Sequence, residues 1–142
     1  MKRTIRQLVA YYKKKFGTSN PFEIADFLNI EVLIGNLGSR AGCYMYLKRH
    51  KCILLNENLD EHEMLLVMAH ELGHAILHPK ENCYFIRNKT FLLNSKIETE
   101  ANKFAAELLI SDDVLAENKE FTIEQLSRLL GYHKKLIKLR LQ

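Results

Sequence analysis

Cysteine is scarce in this chain. Cys43, Cys52 and Cys83 are an odd set without metal-type spacing, which excludes a disulfide scaffold and points to a reducing, cytoplasmic setting. Cys43 and Cys52 fall on opposite sides of an expected hairpin, where core packing is preferred to a disulfide. Long apolar runs are missing too. No stretch approaches the ~18 apolar residues of a membrane span, and the basic start has no apolar signal core, so no membrane contact is expected. Two prolines, six glycines and no internal repeat exclude fibrous and low-complexity classes. A large charge of either sign is absent: a net +4 permits nucleic-acid contact without demanding it. What remains, 47% hydrophobic and 27% charged over 142 residues, is one globular domain with room for a real core.

The strongest pattern is His70-Glu71-Leu72-Gly73-His74, set among Met64, Leu65, Leu66, Val67, Met68, Ala69, Ala75, Ile76 and Leu77. Such a helix is apolar on most sides and belongs at the centre of the fold. Residues four apart share a helix face with Cβ atoms ~5–6 Å apart, so His70 and His74 can bind one Zn²⁺ from a single rigid element. Glu71 sits about 100° round the helix, placed to act as a base on water without being a ligand. Burying two imidazoles and a carboxylate without a partner is costly, so a metal site is preferred to satisfied core histidines. His78 extends the series but lies ~12 Å beyond His70, too far to converge on the same ion. A helix-end or ligand-supporting role suits it better. His50 and His62 read as surface residues.

Around this helix the chain reads in order. A helix over 4–16 carries Ile5, Leu8, Val9, Tyr12 and Phe16 and stops at Gly17. Asn20-Pro21 opens a second, short helix. Strands are expected at 31–37, 42–48 and 52–55, the last two joined by Lys48-Arg49-His50-Lys51. Asn58 and Glu61 make a capping box for the central helix, 59–78, which Pro79 ends. The segment 79–95 is a long connection with enough apolar content for a short hairpin or a flap; Cys83 on it is a minor candidate as a soft ligand. A helix over 96–110 follows, then two or three short helices, with Thr122 and Gln125 capping one and Gly131 ending it. Residues 122–141 fit a helix-turn-helix spacing, and Lys134, Lys135, Lys138 and Arg140 make the last helix basic. A solvated face on a helix covering the core is preferred there to a DNA-reading one.

A catalytic zinc needs a third protein ligand and leaves its fourth position open. Glu98 and Glu100 are the candidates. Because Ser95 and Glu98 also form a good capping box, residue chemistry leaves the choice open.

Taken together, His70-Glu71-Leu72-Gly73-His74-Ala75-Ile76-Leu77-His78 and Glu98-Thr99-Glu100-Ala101-Asn102 resemble the two-part signature of the ImmA/IrrE family of zinc metallopeptidases. The likeness runs over roughly residues 8–110. It implies a gluzincin-like site with one Zn²⁺ per chain held by His70, His74 and Glu98, with Asn102 supporting and Glu100 as the alternative ligand. Glu71 is then the general base of peptide hydrolysis. Tyr44, Tyr46, Tyr84, His78 and His133 are the residues to test for oxyanion or substrate contact, and the strand before the central helix could accept substrate as an added antiparallel strand. The double leucine is followed by Ile110-Ser111 where the family often has Met-Pro, a departure at a helix end.

The expected fold is α+β: a three-stranded, mainly antiparallel sheet on the central helix, a minimal zincin-like core over 1–110, and a helical extension over 111–142, all in one domain. By the same resemblance the substrate is a helix-turn-helix repressor of a phage, mobile element or stress operon, making the protein an anti-repressor. The alternatives are a DNA-binding or repressor-binding regulator with a non-catalytic zinc.

Overall fold

The computed structural model describes residues 2–86 and 95–142, with the backbone alone for 83–86. Among the described residues eleven elements follow one another: α1 (Ile5–Phe16), α2 (Pro21–Phe27), β1 (Glu31–Gly35), β2 (Arg40–Leu47), β3 (His50–Asn56), α3 (Glu61–Leu77), β4 (Cys83–Ile86), α4 (Lys96–Leu109), α5 (Asp112–Glu117), α6 (Ile123–Leu130) and α7 (Lys134–Leu141). The architecture is α+β, as the sequence predicts. No described helix is long and apolar enough to cross a membrane.

Local signals set most boundaries. Thr4 and Gln7 close a reciprocal capping box on α1, and Gly17 ends it at φ +67°. The Asn20 side chain accepts from the Phe22 and Glu23 N–H groups, with Pro21 at the first helical position. Thr122 and Gln125 cap α6, and Gly131 ends it at φ +75°. The start of α3 differs from expectation. Asn58 donates its N–H to the Asn56 side chain in a turn leaving β3. The box belongs instead to Asp60 and Glu63: the Asp60 carboxylate accepts from Glu63 N–H at 2.8 Å, and the Glu63 side chain from Asp60 N–H at 3.3 Å.

The three predicted strands form, and β4 joins them at one edge, giving the order β1-β3-β2-β4. β1 runs parallel to β3, while β2 pairs antiparallel with both β3 and β4. The β2–β3 hairpin turns on Lys48 and Arg49, both at positive φ (49° and 66°), the handedness that two-residue hairpins require. β3 is flanked on both sides, so the strand before the central helix has no free edge. An added substrate strand cannot pair there, contrary to the sequence expectation. Cys43 and Cys52 are free thiols; their strands pair Cys43 with Leu54 and Cys52 with Met45, two residues out of register for a direct cross-strand pair.

α3 lies between the sheet and α4. Tyr44, Ile53 and Leu55 of the sheet, Met68 and Leu72 of α3, and Phe104 and Leu108 of α4 fill the main core. Two glycines permit the close approaches. A Cβ on Gly42 would stand 2.6 Å from Val67 Cγ1, and one on Gly73 would meet Phe104 Cβ at 3.1 Å and the Ala101 carbonyl at 3.2 Å.

A second cluster, Ala106, Ile110, Leu126, Tyr132, Leu136 and Ile137, seats α6 and α7 against the end of α4. Arg140 leaves the basic surface set here. It is buried, donates Nε–H to the Ile110 carbonyl at 2.7 Å, and pairs with Asp112 and Glu107. Lys134, Lys135 and Lys138 stay exposed. His62 is exposed yet engaged: its Nε2 lies 3.1 Å from the Gly131 carbonyl and its ring stacks on Tyr132.

Candidate metal centre

The centre is where α3 meets α4. Positions 70, 71 and 74 fall in the fully buried part of α3, and the Gly73 contact lets α4 come close enough for a carboxylate to reach them. Glu98, in the first turn of α4, does so. Its Oε1 lies 3.1 Å from His70 Nε2 and 2.9 Å from His74 Nε2, and the two Nε2 atoms are 3.1 Å apart. Ser95 does accept from Glu98 N–H, at 3.4 Å. The Glu98 carboxylate, however, turns to the imidazoles and not back to the cap, which separates the two readings of Glu98.

The outer nitrogen of His70 fixes what the inner one offers. Nδ1 lies 2.7 Å from Asn102 Oδ1, one turn along α4 from Glu98. An amide oxygen only accepts, so Nδ1 carries the proton and Nε2 presents a lone pair. Two imidazole nitrogens and a carboxylate oxygen converging in a dry interior need a proton or a metal cation among them. A tetrahedral ion with bonds of about 2.0–2.1 Å holds its ligand atoms about 3.3–3.4 Å apart. The observed triangle, with edges of 3.1, 2.9 and 3.1 Å, is slightly contracted from that. The donor set therefore fits a small divalent ion.

A second carboxylate borders the same pair: ligand-type atoms of His70, Glu71 and His74 all lie within 4.8 Å of one another. Glu98 and Glu71 differ in their surroundings. Burial works to raise the Glu98 carboxyl, but without an ion the imidazoles can carry protons at Nε2 as well, and their hydrogen bonds and charge outweigh burial and bring it down to about 2. Burial, helped by the Glu98 charge, pushes Glu71 well above the usual carboxylate range. Burial likewise lowers His70, against its bonds to Glu98 and Asn102. Both oxygens of Glu71 are buried without a hydrogen-bond partner among the described residues. One carboxylate is committed to the histidines and the other is left with proton-accepting capacity beside them.

The remaining candidates divide. His78 Nδ1 stands 3.3 Å from His74 Nδ1, and Glu100 Oε1 lies 3.2 Å from His78 Nε2. Glu100 is thus drawn to His78, not to the inner triangle. Tyr44 is fully buried and donates its hydroxyl to the Pro79 carbonyl just past α3. Tyr46 packs half-buried on the main core, and its N–H donates to Asn82 Oδ1 at 2.7 Å. His133 caps α7, accepting from Lys135 N–H at 3.1 Å. The side chains of Tyr84 and Cys83 lie outside the described residues. Gly73 escaped the sequence reading, although a glycine inside a strongly helical run is itself a sign of close packing. The Glu100–His78 contact had no local signal.

Residues 25–142 match the family described as the IrrE N-terminal-like domain. The chain is 41% identical, over 143 aligned positions covering 99% of it and 88% of the relative, to uncharacterized immunity region protein 2 of Bacillus phage phi105. It is 36% identical over 115 positions, 80% of this chain and 67% of the relative, to metallopeptidase ImmA of Bacillus subtilis strain 168.

Proposed function

The chain belongs to the ImmA/IrrE family of metallopeptidases, and from that premise we propose that it is a zinc-dependent endopeptidase that cleaves a helix-turn-helix repressor. The observation that carries the reading is the convergence of His70 Nε2, His74 Nε2 and Glu98 Oε1 in a buried triangle beside the Glu71 carboxylate, which has no hydrogen-bond partner among the described residues. These three atoms are the proposed ligand set, and Asn102 holds His70 in the tautomer that serves it.

A divalent ion bound there supplies Lewis acidity, making water more acidic and a peptide carbonyl more electrophilic. The chain's own contribution is proton handling. Glu71 Oε accepts a proton as water adds to the carbonyl carbon, then returns it to the departing amide nitrogen, so that one water yields one acid and one amine. Neither of its oxygens has a hydrogen-bond partner among the described residues, which leaves both available. Burial of the site excludes bulk water that would compete for that proton.

The substrate class rests on the relatives: one carries the name ImmA and another that of an immunity-region protein of a phage. A repressor encoded beside this chain is the expected target, and a phage or mobile element the expected setting. The test is metal content and repressor cleavage for the wild type, Glu71→Gln, Glu98→Gln and Glu100→Gln. Glu98→Gln should lose metal, while Glu71→Gln should keep it and lose cleavage. A wild type purified without stoichiometric metal, and unable to take up zinc, sinks the proposal. Retained metal with no cleavage of any neighbouring repressor would leave a binding protein in its place.

A further inference from the structure

The triangle accounts for the inner nitrogens of His70 and His74, but only His70 has its outer nitrogen explained by an amide. A neutral imidazole that offers a lone pair from Nε2 must carry its proton on Nδ1, and that proton needs an acceptor when buried. For His74, fully buried, the group facing Nδ1 among the described residues is another histidine nitrogen, His78 Nδ1 at 3.3 Å. Two N–H groups cannot face one another across that distance, nor do two lone pairs hold together. If His74 donates, His78 must accept at Nδ1 and keep its own proton on Nε2. Glu100 Oε1 lies 3.2 Å from that atom, and a carboxylate accepts such a proton.

We infer that Glu100 and His78 form a positioning relay that fixes the tautomer of His74 and so aims its Nε2 lone pair into the metal site. The inference rests on the reading of His74 as a metal ligand. The backbone supports it. His78 is the C-cap of α3, at φ −132° and ψ 57°. It has left helical geometry, and its ring meets the Glu100 carboxylate from α4 as well as the ring of His74. Exposure rises along the series, from His74 at 0% through His78 at 10% to Glu100 at 32% for the side chains, so the relay begins at the half-open carboxylate and ends in the dry interior. Asn102 serves His70 with one amide, whereas His74 is served by two residues in line. Neither His78 nor Glu100 touches the reacting atoms; both act through His74.

The test is zinc affinity, read by competition with a chromogenic chelator, alongside the melting temperature of metal-free protein. His78→Phe keeps a ring of similar size but offers no acceptor and admits little water; it should weaken zinc binding about tenfold or more, the usual effect of removing a partner that orients a ligand. Glu100→Ala should weaken it several-fold, and Glu100→Gln, which keeps an accepting oxygen, should stay within about threefold of wild type. The metal-free melting temperature should hold in all three. A long-range ¹⁵N–¹H spectrum of the zinc-loaded wild type should show His74 protonated at Nδ1 and His78 at Nε2. Wild-type affinity in both His78→Phe and Glu100→Ala would overturn the relay, as would losses matched by falls in metal-free melting temperature, or the opposite tautomers. A wild type that binds no zinc would instead overturn the site itself, and the relay with it.

Discussion

Gly73→Ala isolates the feature that brings the two halves of the site together. At this position a Cβ would sit 3.1 Å from Phe104 Cβ, 3.2 Å from the Ala101 carbonyl oxygen and 3.3 Å from Ala101 Cα. Ordinary van der Waals contact begins near 3.4 Å, and these neighbours are backbone or branch-point atoms that cannot rotate away, so α4 must retreat by a few tenths of an ångström. Overpacking of this kind costs roughly 1–3 kcal/mol. Alanine regains about 1 kcal/mol of helix propensity over glycine, leaving a net loss of roughly 0–2 kcal/mol. The geometric consequence should exceed the energetic one. Glu98 rides on the retreating helix, and displacing one vertex of a triangle whose edges are near 3 Å should weaken zinc binding about tenfold. Gly35→Ala is the control, because a Cβ there meets nothing within 4 Å and its φ is not positive. The assay is chelator competition for zinc together with urea unfolding of the metal-free proteins. If Gly73→Ala binds zinc as the wild type does and is more stable than it, the close approach is not what sets the Glu98 position.

Other perturbations reach different parts of the molecule. Asn102→Ala removes the acceptor from His70 Nδ1 and should lower zinc affinity roughly 10–100-fold; an unchanged dissociation constant in the same competition assay would count against the assigned tautomer. Arg49 holds φ +66° without being glycine, so Arg49→Gly should relieve about 1 kcal/mol of left-handed strain, partly offset by unfolded-chain entropy. A small rise in thermal midpoint is expected, and a fall refutes it. The Arg140 hydrogen bond holds the exposed Asp112 carboxyl below its ordinary value of 3.8. Its stabilising effect is therefore present above that value and fades as pH falls through the lower, folded one. The stability gap between wild type and Asp112→Asn, from urea midpoints, should be open at neutral pH and should narrow as pH falls below the ordinary Asp value toward the lower, folded one. A gap independent of pH would sever Asp112 from the charge pair.

Residues whose structural cause lies within one helical turn were legible in the sequence. Gly17, Asn20-Pro21, Thr122 with Gln125, and Gly131 act where their local chemistry says they should. The central helix was legible for the same reason, its apolar girth and histidine spacing being properties of one segment. Local reading failed where several residues offered the same signal. Asn58 and Asp60 can each cap, and the Asn56 side chain, by holding Asn58 in a turn, decides between them. Strand order was beyond reach. Periodicity gives a strand's faces but not its neighbours, so neither the parallel β1–β3 pairing nor the burial of both β3 edges could be read from residues 31–56.

The charged residues show most clearly why local and long-range information part company. Arg140 sits in a run of cations, and by composition belongs with Lys134, Lys135 and Lys138. Its burial is decided by Glu107 on α4, Asp112 at the start of α5 and the Ile110 carbonyl between them, all some thirty residues away. Glu98 and Glu100 pose the same problem at the site. Two positions apart on one helix, they project about 200° from each other and cannot serve one centre in the same way. The Gly73 crossing gives Glu98 to the inner triangle, while the departure of His78 from the end of α3 gives Glu100 a separate partner. The fold has a use for both, one facing the proposed metal and one behind the histidine that faces it.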